Sequence, residues 1–206
     1  VNRPQTLSYR EPPIIRLPAP QLEGKISLEQ VLASRRSVRH FARRALTPEQ
    51  VSQLLWAAQG ITGKSPELRT APSAGGRHPL EFYLCREDGV WHYEPERHML
   101  IQHMERDIRG LLGQAAWKQT FIGEAPCLFV VSAAFQRTTT KYGERGRVRY
   151  VPMDLGHAAE NLWLQAVALG LGAVCIAAFD DNAVTETLRL PKTEDPLYLI
   201  PTGYPA

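Results

Sequence analysis

Three arginines and a serine, Arg35, Arg36, Ser37 and Arg39, fall within five positions of the run RRSVRHF at residues 35–41. Each guanidinium presents a planar fork of donors suited to phosphate oxygens, and the Ser37 hydroxyl can donate in the same direction. A solvated basic helix end reads the same way, because cations near a helix C-terminus are favoured by its dipole. In a second group, Lys141 and Tyr142 precede Arg145, Arg147 and Arg149. A lysine whose pKa is lowered by burial or by nearby cations can serve as a base at neutral pH, whereas on a solvated loop it is only a charge. A third group, Pro72, Ser73, Ala74, Gly75 and Gly76, is small enough for its backbone to approach a planar ligand closely, or to make an ordinary surface turn.

These groups need a scaffold, and the composition supplies one. With 206 residues, 44% of them hydrophobic, the chain can bury one sizeable core and is read as one folded unit, residues 27–206, behind an extended arm, residues 1–26, that holds five of the sixteen prolines and packs over a neighbour or another subunit. A net charge of +3 is too small to demand nucleic acid or a membrane as partner, although arginines cluster locally. Cys85, Cys127 and Cys175 show no CxxC spacing and sit in apolar runs, as expected of reduced thiols in a cytoplasmic protein with no evident secretory leader. No apolar stretch reaches the roughly 18 residues of a membrane span. The absence of GxGxxG after a strand, of a Walker loop and of His/Cys zinc spacing argues against a Rossmann dinucleotide site and against a metal.

Ser27 with Gln30, and Thr47-Pro48 with Gln50, are capping-box starts for helices running to about Arg36 and Gly60. Residues 80–85 and 90–93 around Glu87-Asp88-Gly89 read as a hairpin, residues 101–114 as a helix and residues 127–135 as a buried central strand. Apolar residues at helical spacing predict a long core helix over residues 152–170, on which His157 is expected to be a satisfied core histidine one turn from Asn161, and Asp154 a first-turn acid complementing the dipole. Strands over 173–179 and 197–202, with a helix over 182–190 between them, complete an α+β pattern with a mixed sheet.

Four segments, RRSVRHF (35–41), APSAGGRHPLEFY (71–83), GLGAVCIAAF (170–179) and IPTGYP (200–205), resemble the flavin-dependent nitroreductase family in order and spacing. That resemblance implies a nitroreductase-like α+β fold with a central mixed sheet flanked by helices, and a homodimer with flavin mononucleotide (FMN) at the subunit interface. Arg35, Arg36 and Ser37 match residues that hold the FMN phosphate and ribityl chain. Arg39 matches a cation at the pyrimidine edge, where it would raise the reduction potential by stabilising the negative charge of reduced flavin. Pro72, Ser73, Ala74, Gly75 and Gly76 resemble the loop reaching the flavin from the partner subunit. Cys175 and Ile176 would stack on the ring, with the backbone N–H of Ala177 or Ala178 toward N5, although a plain buried strand reads equally well. Two features depart from many relatives: there is no asparagine near Gly76 or acid near Ala177, and no basic tail beyond Ala206, so phosphate binding is expected to rest on the arginine run.

The wording GGRHPLE and the run TTKYGERGRVRYVPMDLGHAAENL at residues 139–162 resemble the SagB-type and thiazole/oxazole dehydrogenase branch. In that branch a Lys-Tyr pair, matched by Lys141 and Tyr142, is implicated in taking a proton from an azoline ring as hydride leaves. The expected function is an FMN-dependent oxidoreductase passing hydride through N5 to or from a small organic substrate, with NADH or NADPH as donor for nitroaromatic or quinone reduction. The alternatives are a SagB-type oxidation of an azoline or other heterocycle or peptide and, in a different class, a flavin- or nucleic-acid-binding module without catalysis.

Overall fold

The computed structural model describes residues 11–66 and 68–206, so the first ten residues of the expected arm lie outside it. In chain order the elements are β1 (Ile14–Arg16), α1 (Leu28–Ser34), α2 (Pro48–Gln59), a 3₁₀ turn (Ala74–Gly76), β2 (Leu80–Arg86), β3 (Gly89–Glu94), β4 (Met99–Met104), α3 (Arg109–Ala115) and α4 (Thr120–Glu124). They continue with β5 (Cys127–Ala133), α5 (Gln136–Arg145), a π-helical turn (Gly146–Tyr150), α6 (Val151–Ala168), β6 (Gly172–Ala173), α7 (Asp181–Leu188) and β7 (Asp195–Gly203). Both capping boxes form reciprocally, Ser27 with Gln30 and Thr47 with Gln50, so α1 and α2 start where the sequence marks them.

The seven strands run in the order β1-β4-β3-β2-β5-β7-β6. Period-two alternation sends Phe82, Leu84, Phe129 and Val131 to one face, where they meet Leu54, Leu55 and Ala58 of α2 and Ala158, Leu162 and Ala166 of α6. It sends Tyr83, Cys85, Leu128 and Val130 to the other, against Leu112 of α3, Ile122 of α4 and Val184 and Leu188 of α7. Helices cover both faces, so every residue of β5 is buried. Each such large apolar side chain contributes about 1.5–3 kcal/mol relative to exposure.

The α+β fold is as expected, but every strand ladder is antiparallel, and the mixed character shrinks to one parallel bridge, Ser37 with Ala173. Residues 99–104 form β4 instead of the start of a helix, because two ladders, to β3 and β1, outweigh the good helical propensity of Met, Leu and Gln, which is worth only tenths of a kcal/mol per residue. The helix begins only at Arg109. The strand expected over 173–179 is cut to β6 plus a single bridge, Ile176 with Leu199. Lys141 and Tyr142 lie on α5, not on a solvated loop, and the helical path to Tyr150 is interrupted at Gly143 (φ 56°); Thr140 Oγ1 donates to the Gln136 carbonyl (2.7 Å), which satisfies a side chain that otherwise disfavours helix. The described part of the arm packs on its own chain: β1 pairs with β4, and Pro18 and Gln21 bond to Ser52 and Gln53 of α2.

Candidate active site

Three of the four segments converge. The Val38 N–H donates to the Ala173 carbonyl (3.1 Å), the Ala42 N–H to Tyr204 (2.8 Å) and the Ala206 N–H to His40 (3.1 Å), so the arginine run lies along β6 and the end of the chain. Gly172 permits this contact, since a β-carbon there would stand 2.6 Å from Val38.

Arg35 is half-buried; its guanidinium stacks 4.4 Å over the Trp163 ring and lies 4.0 Å from Glu160, both on α6. Arg36 caps α1, with Nη1 donating to the carbonyls of Ala33 (3.1 Å) and Arg35 (2.7 Å). Ser37 and Arg39 are exposed, and Arg39 makes no ion pair or hydrogen bond among the described residues. Ile176 is buried, Cys175 half-buried, and Ala177 and Ala178 are exposed with N–H groups that donate to no acceptor among the described residues. Burial, with the Glu160 carboxylate nearby, pushes the Cys175 thiol up to about 12, so it presents a neutral surface.

The remaining segment, residues 72–76, forms a separate cluster with Lys141 and Tyr142. Gly75 has φ +62°, and a β-carbon on it would stand 2.5 Å from Tyr142 Oη and 3.2 Å from Lys141 Nζ. Tyr142 packs edge-on against Tyr150, with ring centroids 5.0 Å apart, and Lys141 Nζ lies 5.2 Å from the Tyr142 ring centre. Two of the three neighbouring cations have partners of their own: Arg145 donates to Tyr150 Oη (2.9 Å), and Arg147 pairs with Asp195 (3.1 Å) and stacks on Phe135.

Sequence reasoning missed the residue under this loop. Asp154 lies in the first turn of α6, as expected, but complementing the dipole is not all it does. It is buried, accepting from Ser73 Oγ (2.6 Å) and the Ala74 N–H (3.3 Å). Its sequence signal is an acid in the first turn of an otherwise apolar core helix. His157, expected in the core, is exposed, because it falls on the α6 face that no described element covers; Asn161 donates to the Thr70 carbonyl (3.2 Å).

Helix α6 joins the clusters, holding Ser73 at Asp154 and Arg35 at Glu160 and Trp163. At 1.5 Å per residue the two anchor points are about 9–14 Å apart along the axis, and both open onto exposed surface. A cleft of about 700 Å³ lies elsewhere, beside Arg43, Arg44, Arg86 and Arg109, but Arg86 and Arg109 are each held by a neighbouring aspartate. Of the 35–41 segment only Phe41 lines it, and none of the candidate cofactor or catalytic residues does.

The donor chemistry fits FMN: the guanidinium groups of Arg35 and Arg36 and the Ser37 hydroxyl for phosphate, an Arg39 guanidinium with no partner among the described residues for the ring edge, a glycine at the loop tip where a β-carbon would collide, and exposed backbone donors at Ala177 and Ala178. Residues 32–204 match the Nitroreductase family, and the chain belongs to that family of oxidoreductases. It is 43% identical over 190 residues to a nitroreductase-family protein of Methanocaldococcus jannaschii, covering 89% of this chain and 93% of that one. The crystal structure of a nitroreductase-family protein from Ralstonia eutropha JMP134 superposes with a TM-score of 0.83 at 30% identity, covering 94% of this chain and 90% of that one. The trifolitoxin-processing protein TfxB of Rhizobium leguminosarum bv. trifolii is 30% identical over 132 residues, 59% of this chain but only 35% of its own length. Among the described residues no helix is long and apolar enough to cross a membrane.

Proposed function

We propose that this protein is an FMN-dependent oxidoreductase that transfers hydride between a nicotinamide donor, NADH or NADPH, and a small electrophile such as a nitroaromatic or quinone. When bound, FMN supplies a two-electron hydride acceptor and donor at N5. Around it Arg35, Arg36 and Ser37 bind the phosphate and ribityl chain, Arg39 neutralises charge at the pyrimidine edge, and the N–H groups of Ala177 and Ala178 orient N5. The observation that supports this reading is the seating of the arginine run on β6, with Val38 bonded to Ala173, four residues before Ala177.

A homodimer is part of the proposal. The loop at residues 72–76 and the arginine run lie apart on α6; the helix exposes Gly156 and His157 between their anchor points and Met153 just before them. A second copy against this face would bring the loop of one chain to the arginines of the other. The test is direct: the purified protein should be yellow, with flavin absorbance bands and a mass in solution of two chains. A preparation that stays colourless after FMN addition overturns the reading.

A second reading has its own support in Lys141 and Tyr142, which stand against Gly75 at the edge of the same loop. In this reading they take a proton from a heterocycle as hydride leaves to the flavin, the chemistry of azoline oxidation. Lys141→Ala separates the readings. Loss of azoline oxidation with NAD(P)H-driven dye reduction retained favours the dehydrogenase, whereas no azoline turnover by the unmodified protein favours the reductase.

A further inference from the structure

We propose that Asp154 is a positioning residue: through Ser73 and Ala74 it fixes the 72–76 loop in the shape that receives the FMN ring. The inference rests on the flavin reading of that loop.

The loop has little of its own to hold it. Gly75, Gly76 and His78 all lie at positive φ, at 62°, 64° and 42°, and a single backbone bond, from the Gly76 N–H to the Ser73 carbonyl (3.1 Å), spans its turn. The outside grips come from two helices. From α6, Asp154 accepts the Ser73 hydroxyl on one oxygen and the Ala74 N–H on the other, while Ser73 Oγ accepts from the His78 N–H (2.8 Å), which relays the grip to the far end of the loop. From α5, Arg137 Nη1 donates to the His78 carbonyl (3.0 Å). The tip held between them is Gly75, the residue against Tyr142 and Lys141.

An acid that only complements a helix dipole needs no burial. Asp154 is 4% exposed, and the groups that compensate its charge are the loop's own donors together with His78 on the loop and His157 on α6. Burial outweighs them and raises its pKa above the usual aspartate value. Two consequences oppose each other. A carboxyl whose pKa is raised by folding costs stability when ionised, so folding is favoured as pH falls through that pKa. The same protonation removes one of the two acceptors that hold the loop. A residue that merely supported the fold would move stability and flavin affinity together.

The test titrates FMN into apoprotein by flavin fluorescence, from neutral pH to the acid limit of folding, and follows thermal unfolding in parallel. Asp154→Asn should bind FMN about tenfold more weakly at neutral pH, the loss of roughly one charged hydrogen bond, with no fall in melting temperature. The affinity gap to the unmodified protein should close as pH falls, a comparison that cancels titration of the FMN phosphate itself. Ser73→Ala, which leaves the buried charge in place, should show the same weakening and guards against an Asp154 variant that fails to fold. Unchanged affinity in both variants, or in Asp154→Asn a loss matched by a fall in melting temperature, overturns the positioning role. If the unmodified protein binds no FMN, the flavin reading falls first and this inference with it.

Discussion

Gly75 and Tyr142 approach so closely that a β-carbon on Gly75 would lie 2.5 Å from the tyrosine hydroxyl oxygen. The loop and the α5 pair are thus one surface, although 67 positions separate the two residues. Gly75→Ala adds a left-handed backbone cost of about 1–2 kcal/mol to this collision. The melting temperature should fall by several degrees, and Tyr142 must move. FMN affinity should fall by more than that stability cost; an affinity unchanged in a folded variant would show that the loop tip does not touch the cofactor.

Arg39 stands apart from its neighbours because it supports nothing in the fold among the described residues. Arg39→Ala should therefore leave thermal unfolding unchanged while making the bound flavin harder to reduce. Loss of about 1.4 kcal/mol of charge stabilisation corresponds to a two-electron potential roughly 30 mV more negative, readable by a dye-equilibration titration. Arg36→Ala should lower both stability and affinity, because Arg36 also caps α1.

Glu81 predicts the acid limb of stability. Burial pushes its pKa up, but the hydrogen bond from His92 (2.7 Å) and the charge of Arg137 more than offset this, and the net shift is below 4.5. A depressed carboxyl contributes stability that is fully present above its unfolded pKa and disappears as pH falls through the folded one. Chemical denaturation of Glu81→Gln below about pH 4.5 should accordingly show a shallower loss with acid than the unmodified protein. Because Arg137 also holds the His78 carbonyl, the variant should also loosen the 72–76 loop, seen as faster amide exchange there.

The cysteines should be inert in the native state. Cys175 and Cys127 are each pushed up to about 12 by burial, and Cys85 is raised further. A thiol-specific chromogenic reagent at mildly alkaline pH should react slowly with folded protein and release the signal of three thiols on unfolding. Cys175→Ser should keep flavin turnover; its loss would assign the thiol a chemical role.

Much of this architecture is legible from neighbouring residues. Ser27 and Thr47 reach donors three positions away, and the alternation of β2 and β5 states which side chains share a face. The reading failed where a partner from far along the chain decided the outcome. Residues 99–104 became a strand because β3 and β1 offered ladders on both sides.

The chemical groups of the candidate site are a property of the chain: the guanidinium forks of residues 35–39, the glycines that alone tolerate the loop's backbone, and the Lys-Tyr pair. Their mutual placement is not. Asp154 meets Ser73 across 81 positions, and Arg35 lies on Trp163 across more than a hundred. Local rules extend over a few residues, whereas these contacts exist only after burial of apolar faces of α2, α6 and the sheet has closed the chain on itself. That closure brought a helix-start aspartate under the 72–76 loop and left Arg39 exposed, with no partner among the described residues.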